Sequence, residues 1–246
     1  LHRGHLSLVA EARKRAEAVA VTIFVNPAQF GPGEDFGKYP RCPARDLDLC
    51  REAGVNAVFM PPVSAMYDPG ASTRVTEERL SAGLCGARRP GHFCGVCTVV
   101  AKLFNIALPD VAVFGQKDFQ QAAVIRQMAR DLDFPVEIVT APTVREPDGL
   151  ALSSRNAYLT ASERQQALGV SRALRSAAAA LAGGTGDADT LRRIMADELG
   201  RHGLRPDYTE IVNPATLEPV SAARRGDVAL VAAFCGATRL IDNLVL

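Results

Sequence analysis

Residues 18–25 read Ala-Val-Ala-Val-Thr-Ile-Phe-Val. A run of this length bounded by polar residues predicts a strand, and its near-continuous apolar character is the pattern of a strand covered on both faces. Asn26 and Gln29 follow it directly. Three shorter runs of the same kind lie further along, Asn56–Met60, Val111–Phe114 and Val136–Thr140. Amphipathic helical patterns separate them. Leu6, Val9 and Ala10 share one face, as do Leu47 and Cys50 in a segment with Pro43 near its start and Gly54 at its end. Gln121, Ile125, Met128, Ala129 and Leu132 fall at i, i+4, i+7, i+8 and i+11. Strands alternating with helices imply βαβ units and an α/β domain with a mostly parallel sheet.

The pattern changes after about Val144. A loop, EPDGLALSSRN, leads to Thr160-x-x-Glu163, a capping-box signature ahead of a long Ala/Leu-rich helix ending near Gly183. A second helix over Leu191–Leu199 is followed by strand-like runs at Tyr208–Val212, Val228–Ala233 and Thr238–Leu246. Helices followed by consecutive strands predict a second, smaller α+β domain, which divides the chain into 1–143 and 144–246.

Composition excludes several classes. Of 246 residues, 48% are hydrophobic and 22% charged, ordinary for a globular protein with a sizeable core. The formal net charge of +1 comes without a Lys/Arg tract, so no nucleic-acid partner is expected. No apolar run reaches the ~20 residues of a membrane span, and the first residues show no basic-then-apolar pattern of a signal peptide. The six cysteines are scattered, as reduced thiols are, which predicts a cytoplasmic protein.

Ligands of an open parallel sheet bind beyond the carboxyl ends of the strands. That rule selects Asn26 and Gln29, Gly115-Gln116-Lys117-Asp118, and Val144 ahead of Ser153-Ser154-Arg155. His2-Arg3-Gly4-His5 joins them where a strand-to-helix turn is expected. Free N–H groups at a helix N-terminus attract anions, two imidazoles add donors, and Gly4 permits close approach. From these four residues alone, a surface turn with two solvated histidines is the favoured reading. Lys117 has the charge to neutralise a phosphate, and Asp118 suits a helix cap. Gln121 heads its apolar stripe, so its amide needs either a ligand or a neighbouring loop as partner. Ser153, Ser154 and Arg155 can clasp phosphate or simply line a linker. Gly31-Pro32-Gly33-x-x-x-Gly37 has the wrong spacing for a dinucleotide fingerprint. His92, Cys94 and Cys97, with Cys85 upstream, offer only a weak zinc alternative, because there is a single C-x-x-C and Cys97 reads as the start of a buried helix.

Six stretches follow one another along the chain from residue 1 to residue 243: LHRGHLSLV (1–9), IFVNPAQF (23–30), RPGHFCGV (89–96), VFGQKDFQQ (113–121), TVREPDGLALSSRNAYL (143–159) and TRLIDN (238–243). Together they resemble the pantothenate synthetase, or pantoate–β-alanine ligase, family. The resemblance implies a Rossmann-like N-terminal domain of the nucleotidyl-transferase superfamily, related to the class I aminoacyl-tRNA synthetases, with a smaller domain closing over the site. It also implies condensation of pantoate with β-alanine through a pantoyl-adenylate, with ATP and Mg²⁺, AMP and pyrophosphate as products, and a homodimer. By position, His2, His5 and Lys117 fall on catalytic places, His5 on that of the proton donor. His2, Gly4, His5, Gly115, Gln116, Lys117, Asp118, Val144, Leu152, Ser153, Ser154 and Arg155 fall on ATP-binding places. Asn26, Gln29 and Gln121 fall on those that hold the acid and amine. Asp46 is a guess for a Mg²⁺ ligand. Leu152 replaces a usual Met, a change expected to matter little where the backbone makes the contact. The family also carries a strand and a Gly-containing turn ahead of the position of Leu1. The expectation is therefore a segment upstream, with an apolar strand of about 5–6 residues. The 246-residue chain by itself is expected to be unstable and nearly inactive.

Overall fold

In the computed structural model, which describes residues 1–246, the chain divides into two units, Leu1–Pro142 and Thr143–Leu246. The first runs α1 (Arg3–Arg13), β1 (Ala20–Thr22), α2 (Pro43–Glu52), β2 (Ala57–Phe59), α3 (Val63–Met66), α4 (Leu84–Arg88), α5 (His92–Ala107), β3 (Val111–Gly115), α6 (Phe119–Asp131) and β4 (Glu137–Ala141). Short 3₁₀ turns span Pro27–Gln29, Asp35–Gly37 and Gln116–Asp118. Both strand pairs are parallel: β1 lies on β2 with Val21 opposite Val58, and β3 on β4 with Val113 opposite Val139.

Local chemistry accounts for the helix ends. Pro43 occupies the first turn of α2, where its missing N–H costs nothing, and Gly54 takes the left-handed conformation (φ +69°) just beyond the helix. On α6 the predicted stripe is the buried one, with Ile125, Met128 and Ala129 inside and Val124 beside them. Leu132 is half exposed because α6 ends at Asp131 and the chain turns at Asp133 (φ +51°).

Three expectations need correction. The run over residues 18–25 forms only a three-residue strand, with Ala20 and Thr22 exposed and Val21 partly covered. It pairs with β2 alone; the Ile23 N–H still reaches Phe59 O (2.9 Å), and the chain then runs on to the Pro27–Gln29 turn. The buried helix begins at His92 rather than Cys97, because Gly91 (φ +80°) makes the sharp turn immediately ahead of it. Finally, the long helix after Thr160 is two helices. The Thr160/Glu163 capping box forms as expected, but α7 (Ala161–Gln166) and α8 (Leu168–Ala182) meet at Ala167. There the Val170 N–H reaches back three residues to the Ala167 carbonyl, tightening the turn.

The second unit continues with α9 (Ala188–Arg201) and an antiparallel sheet of β5 (Arg205–Val212), β6 (Val228–Cys235) and β7 (Thr238–Val245), with β6 in the centre. Leu174, Leu191, Met195, Leu199, Ile211 and Val231, all but excluded from solvent, form the heart of its core. At its start, residues 144–152 fold back as a hairpin, closed by Leu152 N–H to Val144 O (3.0 Å) and Glu146 N–H to Leu150 O (2.8 Å), with Gly149 (φ +97°) in the turn. No helix is long and apolar enough to cross a membrane. All six cysteines are free thiols, with Cys50, Cys85, Cys97 and Cys235 buried.

Candidate active site

His2 and His5 form a reciprocal cap on α1. The His2 Nδ1 accepts from the Gly4 N–H (3.1 Å), and the His5 Nδ1 accepts from the His2 N–H (3.2 Å). An acceptor nitrogen carries no proton, so each neutral ring holds its hydrogen on Nε2. The ring centroids lie 3.8 Å apart. Burial lowers both pKa values, that of His2 to about 4 with help from the neighbouring His5 ring, so both are neutral at pH 7. The helix start thus offers two imidazole N–H donors.

Lys117 and Asp118 lie close enough to influence the titration of both rings. They sit on the 3₁₀ turn between β3 and α6, with Lys117 Nζ 3.9 Å from Asp118 Oδ1. Asp118 occupies the N-cap position of α6, yet its side chain makes no capping hydrogen bond, contrary to the cap reading. Its charge also reaches His92. Asp46, buried on α2, acts on His5.

Asn26 is 2% exposed and saturated. Its Oδ1 accepts from Ala28 N–H (3.2 Å) and from the Tyr67 hydroxyl (2.8 Å). Its Nδ2 donates to Gly95 O (3.0 Å) and Gln29 Oε1 (3.3 Å). No hydrogen-bonding capacity remains for a ligand, so Asn26 holds the turn rather than touching an acid. Gly95 is what lets α5 come this close, since a Cβ there would sit 2.1 Å from Ala28 O. The Gln29 carbonyl accepts from His92 Nδ1 (2.8 Å) and Arg89 Nη2 (3.3 Å). Arg89 in turn pairs with both oxygens of Glu34 (2.8 and 2.6 Å) and donates to His92 Nε2 (3.0 Å). Both His92 nitrogens are therefore engaged, which removes it as a zinc ligand. Sequence reasoning missed Tyr67, Arg89 and Glu34 as site-building residues; only the motif containing Arg89 and His92 was visible.

Gln121 is half-buried on α6. Its neighbour Gln120 takes the structural part, donating to Leu80 O (2.9 Å) and Gly83 O (2.8 Å) and accepting from Cys85 N–H (3.0 Å). Gln121 is thereby left to face elsewhere.

The remaining candidates belong to the second unit. Ser153 Oγ accepts from Arg155 N–H (3.3 Å), capping the short 3₁₀ turn Ser154–Tyr158 that carries Ser154 and Arg155. Asn156 Nδ2 ties this turn to Ala151 O (3.0 Å). The Leu152 N–H is already taken by Val144, so a backbone contact there can come only from the Leu152 carbonyl.

Burial, and then the Arg89 charge, also lowers His92 to about 4. Because the folded value lies below the usual 6.5, the unfolded chain binds this proton first as pH falls. The contribution is complete above pH ~6.5 and is lost between ~6.5 and ~4, on the order of 3 kcal/mol for so buried a ring. His2 and His5 act in the same direction. Melting temperature should therefore drop across that window, and His92→Gln should make the drop shallower. An unchanged slope would assign it to other groups.

The sequence pattern of the pantoate-beta-alanine ligase family matches residues 1–245. A pantothenate synthetase of Anaeromyxobacter dehalogenans is 58% identical over 250 residues, covering 99% of this chain and 86% of that one. A crystal structure of pantothenate synthetase from Thermus thermophilus superposes with a TM-score of 0.96 at 49% identity, covering 100% of this chain and 89% of that one. The pantoate-beta-alanine ligase of Francisella tularensis, solved with beta-gamma ATP and beta-alanine, gives a TM-score of 0.84 at 31% identity, covering 100% and 85%. These likenesses make the chain a ligase. It belongs to the pantoate-beta-alanine ligase family.

Proposed function

We propose that this enzyme condenses pantoate with β-alanine through a pantoyl-adenylate. A pantoate carboxylate oxygen attacks the α-phosphorus of ATP and pyrophosphate leaves. The neutral amine of β-alanine then attacks the acyl carbon, and AMP departs with the bridging oxygen. The observation that carries this reading is the pair of neutral imidazoles at the start of α1, with their Nε2–H donors free of the cap and Lys117 within electrostatic reach. Charge gathers on phosphoryl oxygens as pyrophosphate leaves, and preorganised donors offset it best. A bound polyphosphate would also raise the pKa of His5, which suits that ring to give up a proton to the leaving group.

By the family resemblance, His2, Gly4, His5, Gly115–Asp118, Val144 and Leu152–Arg155 are assigned to the nucleotide. Gln29 and Gln121 are assigned to pantoate, with Asn26 in support. Mg²⁺, when bound, would supply positive charge to the phosphates, and the buried carboxylate of Asp46, near enough to act on His5, would be the residue to hold it. With pantoate and Mg-ATP but no β-alanine, the native enzyme should exchange labelled pyrophosphate into ATP. ADP as the product of the complete reaction would refute the adenylate route.

A further inference from the structure

The amide ends around Gln29 are fixed by partners whose own roles admit no choice. A backbone N–H only donates and a backbone carbonyl only accepts, so Ala28 N–H and Gly95 O together decide which end of Asn26 is oxygen and which is nitrogen. With Oδ1 placed, the Tyr67 hydroxyl must donate to it (2.8 Å). The second hydrogen of Asn26 Nδ2 points at Gln29, which must accept it through Oε1 (3.3 Å). The Gln29 Nε2, with two hydrogens and no protein acceptor, is the end left over. At the main chain the logic repeats. Arg89 can only donate to His92 Nε2, so His92 Nδ1–H donates to the Gln29 carbonyl. Gln29 is thus held by its backbone and by one end of its amide.

We propose that Tyr67 and Asn26 set the polarity of Gln29, so that Gln29 meets the acid substrate as a donor only. This rests on the reading that Gln29 contacts the acid. A carboxylic acid is rich in acceptor oxygens, and an amide turned the other way would set oxygen against oxygen. Tyr67 and Asn26 are positioning residues here: they act on the acid through Gln29 without touching it. Tyr67 lies 41 residues from Asn26 in the chain, and the hydrogen bond between them ties α3's end to the turn after β1.

Three variants assayed as the native enzyme test this, each with separate KM values for pantoate and ATP, kcat and a melting curve. Gln29→Glu keeps the shape and the acceptor for Asn26 but has no N–H to present. Its KM for pantoate should rise at least as far as that of Gln29→Ala, about 10- to 100-fold, the range for a hydrogen bond to a charged group, with KM for ATP little changed. Tyr67→Phe removes one donor from Asn26 and should raise KM for pantoate about 5-fold, again with ATP spared. A Gln29→Glu enzyme with near-normal pantoate KM would overturn the donor assignment, whatever Tyr67→Phe does. Equal losses toward both substrates in Tyr67→Phe would make Tyr67 a structural residue and overturn the relay. A native enzyme that turns over another acid but not pantoate would instead refute the substrate reading, and the same variants assayed on that acid still decide the polarity.

Discussion

Lys117→Ala should lower turnover by ~10²–10³-fold, the usual effect of deleting one group that stabilises developing charge. The position argues for an effect on chemistry rather than on folding. Lys117 lies on the 3₁₀ turn between β3 and α6, off the apolar stripe of that helix, and its ion pair with Asp118 is long at 3.9 Å. A pair of that geometry, with the partner about half exposed, contributes little, ~0–1 kcal/mol. His5→Ala should produce a comparable loss of turnover with a further destabilisation of about 0.5–2 kcal/mol, because the His5 ring also caps α1. The two variants thus separate charge stabilisation from capping. A Lys117→Ala enzyme with near-normal turnover and an unchanged melting curve would remove Lys117 from the phosphate site.

The largest stability effect is expected in the second unit, at Arg145. Its guanidinium grips both oxygens of Asp242 (2.6 and 3.0 Å) and also donates to Gly149 O (3.1 Å) and Asn243 O (3.3 Å). It therefore closes the hairpin turn and ties that hairpin to β7 with one side chain. The Asp242 side chain is 2% exposed. Arg145→Ala leaves a buried carboxylate without its cation, which typically costs about 3–5 kcal/mol. Arg145→Met with Asp242→Leu, which removes both charges, should cost much less. Urea titrations of the three proteins measure this directly. A loss under about 1 kcal/mol for Arg145→Ala would show that the pair is solvated and does not clamp the hairpin.

Much of the fold was legible because periodicity is a local property. Pro43 and Gly54 bracketed α2, Thr160 and Glu163 announced α7, and Ile125, Met128 and Ala129 marked the inner face of α6. The alternation of strands and helices gave the α/β class of the first unit, and helices followed by strands gave the α+β character of the second. What local pattern could not give was coverage and saturation. An apolar run such as residues 18–25 reports what a strand tolerates and not how many neighbours it pairs with. Asn26 and Gln29 stood out as polar residues after a strand. That Asn26 is fully occupied depends on Tyr67 and on Gly95, 69 residues away. The division of labour between Gln120 and Gln121 was likewise hidden, since adjacent amides on a helix differ only in the direction they point. The tautomers of His2 and His5 needed the cap geometry, which four residues of sequence do not specify.

The adenylate itself is tested most directly by following the oxygen that forms it. Pantoate labelled with ¹⁸O in its carboxylate is incubated with ATP, Mg²⁺, β-alanine and the native enzyme, and the nucleotide product is analysed by mass. If a carboxylate oxygen attacks the α-phosphorus, that oxygen becomes the bridge of the mixed anhydride and leaves with the nucleotide. The account predicts one ¹⁸O in each AMP formed and pyrophosphate free of label. Unlabelled AMP, or label found in phosphate beside ADP, would contradict it.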